Sequence, residues 1–176
     1  MERIVEHKNF LCRKHFRLEK TMIFVTVGTQ IPFDRLIETI DEIAGTINET
    51  FIVQTLGNNY QPQHFKTVDF IEPDEFDKIM QKARLIISHA GIGSILSAIE
   101  YQKPIIIFPR LASFGEHRND HQIATAMAIN EKGYAYVAYD KKQLKELLFS
   151  KELFPLKKRT EHSSCEILRS IIDNNL

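Results

Sequence analysis

From Met22 onward, short apolar runs alternate with stretches in which apolar positions recur every three or four residues, and this alternation predicts strands and helices in turn. Ile23 to Val27 reads as a strand, Gly28-Thr29-Gln30-Ile31-Pro32 as a turn, and Phe33 to Ala44 as an amphipathic helix with Leu36, Ile37, Ile40 and Ile43 on one side. Phe51 to Leu56 follows as a second strand ending in Gly57-Asn58-Asn59, and Thr67 to Ile71 as a short third before Glu72-Pro73. A helix over Asp74 to Lys82 leads into the strand Leu85-Ile86-Ile87. Beyond it come a helix over Ile95 to Gln102, a strand over Ile105 to Phe108 and a polar loop. A helix from about Asp120 to Glu131 stops at Gly133, and a strand over Tyr134 to Tyr139 and a helix over Lys141 to Phe149 complete the series. Parallel neighbours need crossover connections, so the order predicts an α/β fold: a Rossmann-like parallel sheet with helices on both faces. Such sheets bind ligands at the carboxyl ends of their strands, where Gly28 to Gln30, Phe70 to Glu72 and His89 to Ser94 would lie.

The most pointed chemistry sits between the fourth strand and its helix, at His89-Ala90-Gly91-Ile92-Gly93-Ser94. Gly91 and Gly93 remove side chains that would block a ligand, and Ser94 is placed to cap the helix Ile95 to Gln102. Unpaired amides at the positive end of a helix favour an anion, and a diphosphate suits them. Glycine also serves in such turns merely for tight packing. His89 either contacts the phosphate, through a hydrogen bond or a charge, or holds the turn through a backbone hydrogen bond.

The 176 residues fit one domain, and 23 acidic against 23 basic residues, with a pI near 7.1, give no overall field toward nucleic acid or an anionic membrane. Cys12 and Cys165 lie without metal-ligand spacing, which suits a reducing compartment and a cytoplasmic protein. No apolar run is long enough to cross a bilayer, no signal-peptide core is visible, and no Asp-x-Asp metal signature is present.

Residues 1–21 form a basic extension in which Arg3, Lys8, Arg13, Lys14, Arg17 and Lys20 mix with scattered apolar residues without a clean period. They read as a poorly ordered or weakly helical arm, or as an amphipathic segment that touches a membrane or partner. The domain proper is expected over residues 22–150. Residues 151–176 carry Lys157-Lys158-Arg159 and then Ile167, Leu168, Ile171 and Ile172 at helical spacing, a helix that either folds back or docks on a partner.

Three segments in order, Val25-Thr26-Val27-Gly28-Thr29, Ile87 through Ser94, and Asn119-Asp120-His121-Gln122, resemble the donor-binding half of nucleotide-sugar glycosyltransferases of the two-lobed GT-B architecture, family 28 type. The likeness covers roughly Met22 to Phe149 and is strongest to small, free-standing versions of that lobe. These are the soluble subunit of the two-piece N-acetylglucosaminyltransferase acting on dolichol-linked oligosaccharide, and bacterial exopolysaccharide and capsule counterparts. The resemblance implies that His89, Gly91, Gly93 and Ser94 hold the diphosphate of a UDP-sugar and that the backbone around Ile71 reads the uracil. It places Glu116 through Gln122 by the sugar, with Asp120 and Gln122 foremost, and Gly28-Thr29-Gln30 facing the cleft near the acceptor or the phosphate. It implies catalysis by His89 and Asp120 without a metal or cofactor. The expected partners are a lipid-linked saccharide acceptor and a membrane-attached acceptor-binding subunit, through which the chain would sit at the inner face of the membrane. Arg118 is either a solvated loop residue or a phosphate contact.

One position departs from the family. Where many relatives place a ribose-binding glutamate, seven residues before the proline matched by Pro104, this chain has Ser97, with Glu100 one helical turn further on. That departure supports a second reading, a non-catalytic nucleotide-sugar-binding regulatory subunit. A nicotinamide-dependent oxidoreductase fits poorly, because the first strand opens into Gly28-Thr29-Gln30-Ile31-Pro32 and not Gly-x-Gly-x-x-Gly.

Overall fold

The computed structural model describes residues 21–29, 31–150 and 153–155. The expectations for residues 1–20, for the helix with its basic cluster beyond 155 and for the side chain of Gln30 lie outside the described residues. Six strands form one parallel sheet: β1 (Met22–Thr26), β2 (Thr50–Gln54), β3 (Thr67–Val68), β4 (Leu85–Ser88), β5 (Ile105–Ile107) and β6 (Tyr136–Val137). The helices are α1 (Asp34–Ala44), α2 (Pro73–Lys82), α3 (Ile92–Glu100), α4 (His121–Glu131) and α5 (Lys141–Phe149), with a turn of 3-10 helix at Ala112–Phe114.

Strand order is β3-β2-β1-β4-β5-β6, the doubly wound Rossmann arrangement expected from the sequence. Alternating side chains along each strand feed two cores. Ile23, Val25, Leu85, Ile87 and Ile106 pack with Leu36, Ile37, Ile40 and Ile43 of α1 and Leu144 and Leu148 of α5. Phe24, Ile86, Ile105 and Ile107 pack on the opposite face with Ile79 and Met80 of α2, Ile95 and Ile99 of α3, and Ala126 and Ile129 of α4. Each buried isoleucine or leucine contributes about 2 kcal/mol of transfer free energy, so the central strands are the most strongly held.

The edge strands are shorter than their apolar patterns predict. The third strand stops at Val68 and leaves Phe70 two-thirds exposed, and the sixth spans only Tyr136–Val137, with one further backbone bond from the Ala138 amide to the Ile107 carbonyl. Each has a neighbour on one side alone, so cross-strand pairing sustains fewer residues. The linker from β2 to β3 is held instead by buried Asp41 on α1, whose carboxylate accepts bonds from the Tyr60 hydroxyl and the amides of Gln63 and His64. Burial by itself would raise the Asp41 pKa, but those hydrogen bonds outweigh it and hold the carboxyl below its ordinary range.

Candidate functional site

The strand order reverses direction between β1 and β4, which opens a crevice at their carboxyl ends. Thr26 and Ser88 are register partners at the mouth of that crevice, and the chain leaves both strands through small-residue turns. On the β4 side the Gly91 amide donates to the His89 carbonyl at 2.8 Å, and α3 begins at Ile92 with Gly91 as its N-cap. The helix therefore starts ahead of the Ser94 cap expected from sequence. Gly91 takes an extended backbone, φ −84° and ψ 129°, the Ile95 amide already donates to the Gly91 carbonyl, and no side chain caps the helix. Ser94 instead lies in the first turn, whose amides carry the positive end of the helix dipole toward the crevice. A side chain at Gly93 would meet only open space, so this part of the turn is accessible to a ligand.

Gly91, and with it Gly28, meets a packing requirement, the alternative to the ligand clearance that the sequence suggests for Gly91. A Cβ on Gly91 would come within 2.2 Å of His89 Nε2, and one on Gly28 within 2.5 Å of His89 Cε1. The imidazole is wedged between the two turns, and Gly28, at φ +78°, also holds a left-handed conformation that disfavours any other residue. Ser88 Oγ lies 3.3 Å from His89 Nδ1, and the ring is hydrogen-bonded to the Thr26 backbone. Burial, reinforced by the nearby Arg110 charge, pushes the His89 pKa down to about 4. The ring is neutral near pH 7, so the charge that sequence reasoning allowed it is not present.

Two arginines and one carboxylate brace the crevice from behind. Arg110, 3% exposed, follows β5 and donates to the carbonyls of Val27 at 3.0 Å, Ile31 at 2.5 Å and Pro32 at 2.7 Å, while its guanidinium lies 4.4 Å from the Phe33 ring centroid. Burial lowers its pKa to about 10, with Glu116 opposing and Arg35 adding to the shift, so it stays cationic at neutral pH. Arg35 of α1 grips Glu116 through Nε at 2.7 Å and a second nitrogen at 2.9 Å, and also donates to the Pro109 carbonyl at 2.7 Å. It sits 4.4 Å from the Phe108 ring centroid, between that ring and the exposed Phe114.

Gln122, buried on α4, accepts the Arg110 amide at 3.0 Å and the Ala90 amide at 3.3 Å with one side-chain oxygen. It thereby ties the β4 turn to the exit of β5. Glu116 accepts the Leu111 amide at 2.9 Å besides its pair with Arg35, and Asp120, exposed at the start of α4, accepts the Ala112 amide at 2.9 Å. Thr29 and Arg118 are exposed on their loops, Ile71 packs half-buried beside the second core, and Ser97 lies one turn along α3.

The residues singled out from sequence thus fall into two sets. Gly28 and Gly91 close on the His89 ring and Gln122 binds the Ala90 amide in the same turn, whereas Arg118 and Asp120 are exposed and Ile71 and Ser97 partly buried. Arg35 and Arg110 escaped sequence reasoning, since a lone arginine in a helix or a polar loop reads as solvated. The available signal was the position of Arg110, immediately beyond the strand Ile105 to Phe108 at the edge where ligands bind. Among the described residues no group of His, Cys, Asp and Glu could hold a metal ion, and no helix is long and apolar enough to cross a membrane.

Comparison with known proteins agrees with this architecture. The family model of the glycosyltransferase family 28 C-terminal domain matches residues 22–174. The human UDP-N-acetylglucosamine transferase subunit ALG13 is 30% identical over 125 residues, covering 65% of this chain and 11% of the relative. The UDP-N-acetylglucosamine--N-acetylmuramyl-(pentapeptide) pyrophosphoryl-undecaprenol N-acetylglucosamine transferase of Prochlorococcus marinus subsp. pastoris is 28% identical over 141 residues, 77% of this chain and 35% of that protein. The chain thus spans a minor part of each of these curated relatives. The solution structure of ALG13 superposes with a TM-score of 0.60 at 20% identity, covering 88% of this chain and 96% of the other, a likeness of fold.

Proposed function

This chain belongs to the glycosyltransferase family 28 C-terminal domain family, and we propose that it is the donor-binding, catalytic subunit of a two-component glycosyltransferase. In this reading it holds a UDP-sugar at the carboxyl edge of the sheet, and a membrane-attached partner presents a lipid-linked saccharide acceptor during exopolysaccharide or capsule assembly. The observation that carries the proposal is the uncapped start of α3, aimed into the crevice between β1 and β4 with open space at Gly93.

Transfer breaks the bond between the anomeric carbon and the β-phosphate oxygen, whose electron pair leaves with UDP. A new bond forms from the acceptor hydroxyl oxygen to that carbon, and the hydroxyl proton passes to a base. The amides of the first α3 turn, with Ser94, are assigned to the departing diphosphate, where fixed dipoles act on charge as it develops. His89 is neutral and wedged, so its assigned role is to hold the two turns in place. The exposed carboxylate of Asp120 is assigned to the sugar and to the acceptor proton, Arg118 to the outer phosphate and the Ile71 backbone to the base. Glu116 and Gln122 support these groups through the backbone that they bind.

Titration calorimetry with UDP, UDP-sugars and NAD tests the donor assignment; binding of UDP compounds over NAD supports it, and the reverse order overturns it. Co-expression with a membrane-attached acceptor lobe tests the subunit assignment. Sugar transfer by the pair and not by either chain alone is the expected result, and full activity of this chain alone on a lipid-linked acceptor defeats it. UDP binding without transfer in any pairing favours the regulatory reading that Ser97 suggests.

A further inference from the structure

Arg110 is the buried cation that the proposed chemistry leaves without a task. Its side chain crosses from the end of β5 to the opposite wall of the crevice and donates to three carbonyls of the loop after β1. Glu116, the carboxylate whose charge acts on it, is already gripped by Arg35 through two bonds, so Arg110, Arg35 and Glu116 together carry a net positive charge. The His89 ring, which fills the space beside Gly28 and Gly91, feels the Arg110 charge and is neutral, so it adds no charge of its own. With little water between, a cation held there projects its field through the turn.

We propose that Arg110 is a positioning residue for the diphosphate of the donor: its three-carbonyl clamp fixes the wall formed by Gly28 to Pro32, and its charge sets a standing positive potential beneath the start of α3. This rests on the assignment of that turn to a nucleoside diphosphate. Two properties of arginine are needed together. Lysine keeps the charge but cannot reach three acceptors with a planar fork, and methionine keeps the apolar stem but loses both. A phosphate should register the loss, whereas a nucleoside without phosphate should not.

The experiment compares the affinities of UDP and uridine in the full chain and in Arg110→Lys and Arg110→Met, with native circular dichroism checked first. UDP binding is expected to weaken about tenfold in Arg110→Lys and about a hundredfold in Arg110→Met, while uridine changes by less than about twofold. Should Arg110→Met fail to fold, Arg110→Lys carries the test. Parallel weakening of UDP and uridine overturns the inference, since a purely structural residue would act on both alike, and so does an unchanged UDP affinity. Failure of the unmodified chain to bind UDP at all overturns the donor assignment and this inference with it, an outcome distinct from either.

Discussion

Each edge of the sheet carries an arginine, half-buried at one and buried at the other, and they use it in opposite ways. At the amino edge Arg84, just ahead of β4, forms a two-bond ion pair with Glu49, whose carboxylate also accepts the Thr21 hydroxyl at 2.7 Å. Burial would raise the Glu49 pKa, but the bonds from Arg84 and Thr21 outweigh it and hold it low, so the pair is electrically closed. At the carboxyl edge Arg110 makes its side-chain hydrogen bonds to carbonyls and lies over the Phe33 ring, and Glu116, the carboxylate whose charge acts on it, is bonded to Arg35. The amino edge neutralises its charges locally, whereas the edge proposed to meet an anion keeps a cation supported by backbone carbonyls. The glycines do not share this contrast: a Cβ at Gly28 or Gly91 would strike the His89 ring, and one at Gly45, after α1, would come within 2.7 Å of His64 Nε2.

Gly28→Ala should disturb the carboxyl edge most severely. It adds a Cβ against the imidazole and forces a non-glycine residue into φ +78°, so about 4 kcal/mol of stability should be lost in urea unfolding. A loss below 1 kcal/mol on that scale, roughly the left-handed strain alone, would mean that His89 does not fill the crevice in solution. The second test uses pH. His89 has a folded pKa near 4 against 6.5 for the ordinary group, so the unfolded chain binds more protons between those values. Stability is therefore full above pH 6.5 and declines toward pH 4 by about 3 kcal/mol. His89→Gln should flatten that part of the profile; an unchanged slope in the variant would place the titration elsewhere.

Gln122→Ala leaves the amides of Ala90 and Arg110 without their acceptor and should cost about 2 kcal/mol, with weaker UDP binding as the β4 turn loosens. Smallest of the set, Glu49→Gln at the opposite edge should cost about 1 kcal/mol and leave UDP affinity unaltered. A clear loss of affinity in Glu49→Gln would show that the two edges are not independent.

The sequence made the architecture legible because its evidence is local and repeated. Apolar runs such as Leu85-Ile86-Ile87 and helical spacing such as Leu36, Ile37, Ile40 and Ile43 recur in the right order, and the parallel sheet follows from their connections. Boundaries were harder. Ser94 has the chemistry of a cap, but the helix starts where the backbone of Gly91 lets it, three residues ahead. At the site, the turn was legible from its small residues, while the reason for two of them was not. Gly91 makes room for the ring of its own near neighbour His89, and Gly28 for that same ring from far along the chain, a contact of which one-dimensional spacing carries no trace. Arg110 was hidden for the same cause, since its partners Val27, Ile31 and Pro32 are backbone oxygens about eighty residues away in the chain, distant contacts of the kind that a parallel sheet creates.

The strand order also dictates a hazard during synthesis. As the polypeptide leaves the ribosome, β1 can join β2 and β3 early, but the flank of β1 that belongs to β4 must wait for Leu85–Ser88 to emerge. Until then the nascent half-sheet offers an open, wholly apolar border, Ile23 to Val25, to any extended neighbour, and chaperone capture or slowed translation over that interval would shield it from misassembly.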